Sequence, residues 1–312
     1  MSRKGVRDMG LTEKSFRNGE IIIKEGDAGK SFFRLLEGKA GVYADYGKND
    51  PMKIAVLEEG EYFGEMAIIE EYPRSATVVA VGNVKVVEIP GDDLKAYFKK
   101  NPDQIIELMQ HLGKRISSMT KDYNDAKALL KELRESDSGK KNKSLFAKIK
   151  KHIDIYQSNK TKLTEPSAEA LREKFAELKD EGTGKNESFR KGVVIYREGD
   201  LGKCMYILHS GKVGMYNNFR SKEDEVLLYE LQAVSFFGEM GMVSDDTREA
   251  TAVSESNDTY VEVIYPYDLE DMFKTCPAKV DLILSHLSFN LRKLTIDFLK
   301  VCKEITESYG DK

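Results

Sequence analysis

One pattern occurs twice in this 312-residue chain, and it constrains the fold more than any other feature. The first copy occupies residues 63–69 and 73–77, and the second occupies residues 237–243 and 247–251, about 174 positions later. In each copy a glutamate precedes an arginine by nine positions, and a short apolar segment lies between them. A period this long with two copies predicts tandem domains rather than a solenoid.

The repeat extends on both sides of this pattern. Residues 16–19, 25–27, 38–39 and 101–103 match residues 189–192, 198–200, 211–212 and 276–278. Between these landmarks, short β-branched runs end at Glu-Gly-Asp turns, which predicts short strands at regular spacing. Such spacing favours a β-barrel or jelly roll in each copy.

The repeated residues have a chemistry in common. Glycine lets the backbone approach a ligand closely, and a short helix behind it directs N–H groups at an anion. Arginine offers a planar fork of donors to a phosphate, and a carboxylate accepts from ribose hydroxyls. The pattern therefore predicts a pocket for a singly charged sugar phosphate. Two such pockets on one chain indicate a sensor rather than a catalyst.

The full ordered set of motifs resembles the cyclic nucleotide-binding domain. This family is shared by the catabolite activator protein, regulatory subunits of cyclic-nucleotide-dependent kinases, and gated channels. The resemblance implies an α+β chain with two jelly-roll β-barrel domains, at residues 14–135 and 188–306, each ending in a long helix. A helical, basic connector at residues 136–187 would join them.

The resemblance also implies the site residues. Glu65 would accept from the ribose 2′-hydroxyl, Arg74 would pair with the cyclic phosphate, and Thr120 would reach the base. The other implied ligand-binding residues are Gly64, Met66, Ala67 and Ser75 in the first pocket and Gly238, Glu239, Met240, Gly241, Arg248, Glu249 and Thr295 in the second. The alternative is that Glu65 and Arg74 form a structural ion pair.

The second pocket departs from the family pattern at Glu249, where alanine, serine or threonine is usual. This carboxylate could pair with Arg248 and weaken anion binding, accept from the amine of guanine, or face solvent. Ser75 in the first pocket is compatible with adenine or guanine. The match at Thr120 favours cAMP over cGMP, and a cyclic dinucleotide is a further alternative.

The long helices predict a second feature. Apolar residues recur at alternating spacings of four and three, from Ile105 to Leu133 and from Val280 to Ile305. Such a heptad seam favours helices paired along their length, within the chain or in a homodimer. The alternative is that each helix packs only on its own barrel.

The connector combines lysines at 140–151 with an apolar face from Phe146 to Tyr156. Such a segment could contact a membrane, an acidic partner or RNA. Packing on a barrel with the lysines solvated is the favoured interpretation.

Composition excludes several classes. The net charge of −4 does not suggest a general polyanion binder, and no apolar run approaches the length of a membrane span. Three scattered cysteines and four scattered histidines predict reduced thiols and no metal site. We therefore expect a cytoplasmic, non-enzymatic receptor without a DNA-binding domain, with cAMP or cGMP as ligand, no cofactor and an unknown protein partner. The alternative is an interaction scaffold whose pockets have decayed.

Overall fold

The computed structural model divides the chain into two compact units. Unit 1 comprises Met1–Tyr97, Arg115–Pro166 and Ser288–Lys312, and unit 2 comprises Phe98–Lys114 and Ser167–Leu287. The residues that the structure describes are 12–44, 46–47, 51–65, 74, 76–91, 97–98, 101, 103–135, 173, 185–219, 225–243 and 247–309. The predicted connector lies outside the described residues except for Glu173 and residues 185–187.

The described residues of unit 1 form six strands in one antiparallel sheet of order β1-β6-β3-β4, with β2 on β6 and β5 on β3. Their bounds are β1 Thr12–Phe16, β2 Ile21–Ile23, β3 Ser31–Ala44, β4 Met52–Leu57, β5 Tyr62–Phe63 and β6 Thr77–Pro90. The long strands β3 and β6 pair throughout, with register shifts around Glu37. The start of β3 pairs with β5 and its end pairs with β4, so one strand serves both halves of the sheet.

The described residues of unit 2 form eight shorter strands, which divide into two sheets. Their bounds are β7 Asn186–Phe189, β8 Val194–Tyr196, β9 Met205–Ser210, β10 Lys212–Asn217, β11 Val226–Gln232, β12 Ser235–Phe237, β13 Thr251–Ser254 and β14 Thr259–Ile264. They form two four-stranded sheets, of order β11-β10-β13-β8 and β12-β9-β14-β7.

The predicted jelly-roll barrels are therefore wrong in one respect, because the sheets are not closed. In the described part of unit 2, each sheet ends in two outer strands that pair on one side only. The outer strands β8 and β12 have three residues each, too few to hydrogen-bond along two neighbours and close a ring. The domains are β-sandwiches, in tandem and accompanied by helices.

Each sandwich is filled by aromatic and β-branched side chains from matching positions of the repeat. In unit 1 the rings of Phe33 and Phe63 stack at 5.3 Å, and in unit 2 the rings of Tyr206 and Phe237 stack at 5.0 Å. Buried Val78, Ala80, Val84 and Val86 complete the first core. These rings bring the end of β5 or β12, where the repeated pattern begins, onto the core.

Four helices have described bounds: α1 Asp103–Glu135, α2 Met240–Val243, α3 Leu269–Thr275 and α4 Pro277–Tyr309. The long helices pair within unit 1. Their cluster comprises buried Ala126, Leu129, Leu130, Phe298, Cys302 and Ile305, with Met119, Tyr123, Leu133 and Val301 packed against it. Arg134 donates a hydrogen bond to Glu304 at its edge. In this structure the two long helices therefore contact each other within one chain.

Candidate functional site

Gly64 begins the first pocket, directly after β5. Its φ is +79°, a conformation that glycine adopts readily. A Cβ at this position would lie 2.5 Å from Nη1 of Arg74. The close approach of backbone and guanidinium therefore requires glycine.

Arg74 is held inside unit 1 by backbone carbonyls. Its Nη1 donates to the carbonyl oxygen of Gly64 at 2.6 Å, and its Nη2 donates to that of Ser31. The guanidinium also lies 5.9 Å from the centre of the Phe33 ring. Burial lowers the pKa of Arg74, while the nearby carboxylates of Glu65, Glu88 and Asp27 oppose that shift. A buried guanidinium in such a setting is well placed to receive an anion.

Glu65 is the most deeply buried acidic residue of the first pocket, with 2 % of its surface exposed. Nη1 of Arg115 on α1 donates to its Oε1 at 2.6 Å. The Arg115 side chain is 45 % exposed, so the pair runs from the interior to the surface. The ion pair that the structure describes for Glu65 is therefore with Arg115 of α1.

Arg248 occupies the matching place in unit 2. Its Nη1 donates to the carbonyl oxygen of Gly238, and its Nη2 donates to that of Cys204 at 2.8 Å. Its guanidinium carbon lies 4.3 Å from the centre of the Tyr196 ring, within the range of a cation–π contact. The two repeats therefore hold their arginines in the same way, against the carbonyl of the motif glycine.

The rest of the second pattern surrounds this guanidinium. Met240 is the first residue of the four-residue helix α2, and Gly241 is the second. A Cβ on Gly241 would lie 2.6 Å from the Cα of Gly202 and 2.9 Å from Nη1 of Arg248. The backbone of the α2 turn thus approaches the arginine as closely as glycine permits.

Two carboxylates near Arg248 differ in their surroundings. Glu239 Oε1 lies 3.7 Å from Nε2 of His286 on α4, and both side chains are largely buried. Glu249 is exposed. Both carboxylates act electrostatically on Tyr229 of β11, a residue that is 54 % exposed.

The remaining predicted residues are placed as follows. Thr120 is half-buried on α1, and Thr295 on α4 donates to the carbonyl oxygen of Leu291. Thr295 belongs to unit 1, whereas Gly238, Glu239 and Arg248 belong to unit 2. Met66, Ala67 and Ser75 lie outside the described residues.

Sequence reasoning missed the helix residues that lie next to the two glutamates, Arg115 beside Glu65 and His286 beside Glu239. Arg115 directly precedes Ile116 of the predicted seam, and His286 directly precedes Leu287. The sequence signal that could have identified them is a basic residue directly before a buried position of the heptad seam. It also missed Ser31 and Cys204, which take part through backbone carbonyls and leave no mark in the sequence.

Two further observations concern the part of the chain that the structure describes. No cluster of three or more histidine, cysteine or acidic side chains there could hold a metal ion. No helix there is long and apolar enough to cross a bilayer.

Comparison with known proteins decides the family. The sequence profile of the cyclic nucleotide-binding domain matches residues 13–101 and 186–276, more than half of the chain. The chain belongs to the cyclic nucleotide-binding domain family. Each match contains one copy of the repeated pattern and its arginine, so this chain carries two cyclic nucleotide-binding domains in tandem.

Several relatives contain the same domains. The human (Homo sapiens) cGMP-dependent protein kinase 2 is 25 % identical over 251 residues, which are 80 % of this chain and 26 % of that protein. The cAMP-dependent protein kinase regulatory subunit of Dictyostelium discoideum is 27 % identical over 253 residues, 80 % of this chain and 62 % of the subunit. The chain thus spans less than two thirds of either relative.

Among solved structures, one similar chain is the regulatory domain of Toxoplasma gondii PKA in co-crystals with cAMP. It is 18 % identical, the match covers 90 % of this chain and 87 % of that one, and the TM-score is 0.28.

Proposed function

We propose that this cyclic nucleotide-binding domain protein is a non-enzymatic receptor for a cyclic nucleotide, with cAMP preferred over cGMP. The observation that supports it best is the paired arrangement of a buried arginine against the carbonyl of the motif glycine in both units. In each unit a glutamate one residue further along faces a side chain of a long helix: Arg115 contacts Glu65 at 2.6 Å, and His286 lies 3.7 Å from Glu239.

The cyclic phosphate would bind at Arg74 and Arg248. Their guanidinium groups now donate to neutral carbonyls, and an anionic oxygen is a stronger acceptor than a carbonyl. A phosphate with one negative charge would offset the burial of each cation. The exchange of acceptors would also shift the backbone at Gly64 and Gly238, where the repeated pattern begins.

The ribose hydroxyl would donate to Glu65 in the first pocket. A carboxylate accepts several hydrogen bonds at its two oxygens, so a ligand hydroxyl and Arg115 could share Glu65. Arg115 lies on α1, five residues before Thr120 and within the same helix as Tyr123 and Ala126 of the paired-helix cluster. This connection gives ligand binding a physical route to the helices of unit 1.

The preference for cAMP rests on the resemblance at Thr120. The relatives named above include a cGMP-dependent and a cAMP-dependent kinase protein, so they do not select a base. Their names do suggest the kind of partner. We propose a protein kinase catalytic domain or subunit, met in the cytoplasm, whose activity the ligand-bound receptor would change.

Calorimetric titration of the full chain with cAMP and then cGMP tests this function. We expect saturable binding, tighter for cAMP. Arg74→Ala should weaken the first site by about 2–5 kcal/mol, the range for truncating one partner of a buried charge pair, which is at least tenfold in affinity. Arg248→Ala should act likewise on the second.

Arg134→Ala is the matched control, because this arginine forms an exposed pair with Glu304 on the same helix pair. It should leave both sites unchanged. If neither nucleotide binds, the receptor proposal fails, and a cyclic dinucleotide titration then separates a different ligand from a decayed scaffold.

A further inference from the structure

The two units hold their motif glutamates with different kinds of cation. Glu65 is paired with Arg115, whereas Glu239 faces His286, whose ring also packs at 4.9 Å from that of Phe236. The repeat aligns His286 with His111 and aligns Arg115 with Asn290. The second repeat therefore has an uncharged residue where the first has arginine, and a titratable residue one turn earlier faces the glutamate.

Resting on the proposed function, we propose that His286 is a positioning residue of the second pocket. Its protonated ring would hold Glu239 towards the ligand, so that the second pocket binds a cyclic nucleotide more tightly at pH 6 than at pH 8. The first pocket, held by Arg115, would show no such dependence.

The physical reason is a difference in charge over this pH range. Arginine stays protonated, while histidine changes its charge between about pH 5 and pH 8. A charged imidazolium attracts the Glu239 carboxylate and restricts its orientation. The added positive charge also favours an anionic ligand. Both effects have the same sign, and linkage requires that ligand binding then promotes protonation.

Other titratable groups near Glu239 change little in this range. Tyr196 and Tyr229 also interact electrostatically with Glu239, but phenols titrate near pH 10, and burial raises the pKa of Tyr196 further. Within unit 2, the α1 segment touches α2 where Gly113 meets the side chain of Val243. That segment carries Glu107, His111 and Lys114, Glu249 follows Arg248 directly, and Glu262 on β14 contacts both His209 and Lys279. His209 is paired with Glu262, so His111 is the most informative control.

The experiment reads each pocket separately in the full chain. Arg74→Ala silences the first pocket and Arg248→Ala silences the second, and cAMP is titrated by calorimetry at pH 6, 7 and 8. In the Arg74→Ala background we expect the dissociation constant to rise on the order of three- to tenfold from pH 6 to pH 8. Adding His286→Gln should reduce that change to less than about twofold, and adding His111→Gln should leave it intact.

Two results would overturn the inference. One is full pH dependence that survives His286→Gln, and the other is equal pH dependence in the Arg248→Ala background, where only the first pocket remains. If neither pocket binds cAMP or cGMP at any pH, the proposed function fails instead.

In that case a ligand-free measurement decides the inference. A double-mutant cycle with His286→Gln and Glu239→Gln, read by urea unfolding, should give a larger coupling free energy at pH 6 than at pH 8, because a charged ring attracts the carboxylate beside it. Equal coupling at the two pH values would show that protonation of the ring does not act on Glu239.

Discussion

The ion pair between Arg115 and Glu65 leads to a sharp prediction about stability. The substitution Arg115→Gln removes the cation from a carboxylate that is 2 % exposed, while a side chain of similar length and polarity remains on α1. The expected result is a clear loss of stability in the ligand-free protein. Burial of the carboxylate is the reason, because water compensates poorly for a partner lost inside the protein.

The magnitude follows from the burial of each partner. Breaking a fully buried pair costs about 3–5 kcal/mol, and an exposed pair contributes about 0–1 kcal/mol. Arg115 is 45 % exposed and Glu65 is not, so the contribution of the arginine is reduced by solvent screening. We expect the free energy of unfolding to fall by about 1.5–3 kcal/mol.

The chain provides a matched control on the same helix. Arg134 also pairs with a glutamate, Glu304, but the two side chains are 59 % and 44 % exposed. Arg134→Gln should therefore cost about 0–1 kcal/mol. Because the chain has no tryptophan, urea unfolding is followed by circular dichroism.

The double variant Arg115→Gln/Glu65→Gln completes the test. It leaves no buried charge at this position and should recover part of the loss. Two results would refute the reasoning. One is an equal loss of unfolding free energy in Arg115→Gln and Arg134→Gln. The other is a double variant whose loss is the sum of the losses in Arg115→Gln and in Glu65→Gln alone.

Three further predictions concern single positions. Gly238→Ala should lower the free energy of unfolding by about 1–3 kcal/mol, because φ is +71° and a Cβ would lie 2.7 Å from Nη1 of Arg248. Thermal unfolding measures this loss as a lower melting temperature. Lys279→Met should cost about 3–5 kcal/mol in urea unfolding, because Glu262 is fully buried beside that ammonium at 2.8 Å, and Glu262→Leu should recover most of it. Burial raises the pKa of Cys302 from 9.0 to about 12. The native thiol therefore keeps a proton that the unfolded chain loses, and stability should fall above pH 9 by up to about 1.4 kcal/mol per pH unit, a slope that Cys302→Ala should flatten.

The repeated pattern grouped Gly64 with Arg74 and Gly238 with Arg248, and the structure places both pairs in contact. This succeeded because a turn glycine and a buried arginine depend on local backbone geometry, which a short segment of sequence determines. The roles of these residues towards a ligand remain predictions.

The missed features depend on contacts far apart in the chain. Arg115 lies 50 positions from Glu65, and a basic residue beside an apolar seam looks the same in sequence whether it meets solvent or a buried acid. The open sheets were missed for a related reason. Alternation predicts strands and their faces, but it does not specify whether the outer strands meet.

Unit 1 is formed by chain segments from both repeats, and this affects how truncated versions of the protein can be interpreted. Ser288–Lys312, at the far end of the sequence, belongs to the unit that contains Arg74, while Phe98–Lys114 belongs to the unit that contains Arg248. Deleting the last 25 residues would remove Phe298, Cys302 and Ile305 from a buried cluster shared with α1. A truncation at the end of the second repeat would therefore damage the unit that contains the first pocket. Point substitutions in the intact chain are the way to assign a phenotype to either pocket.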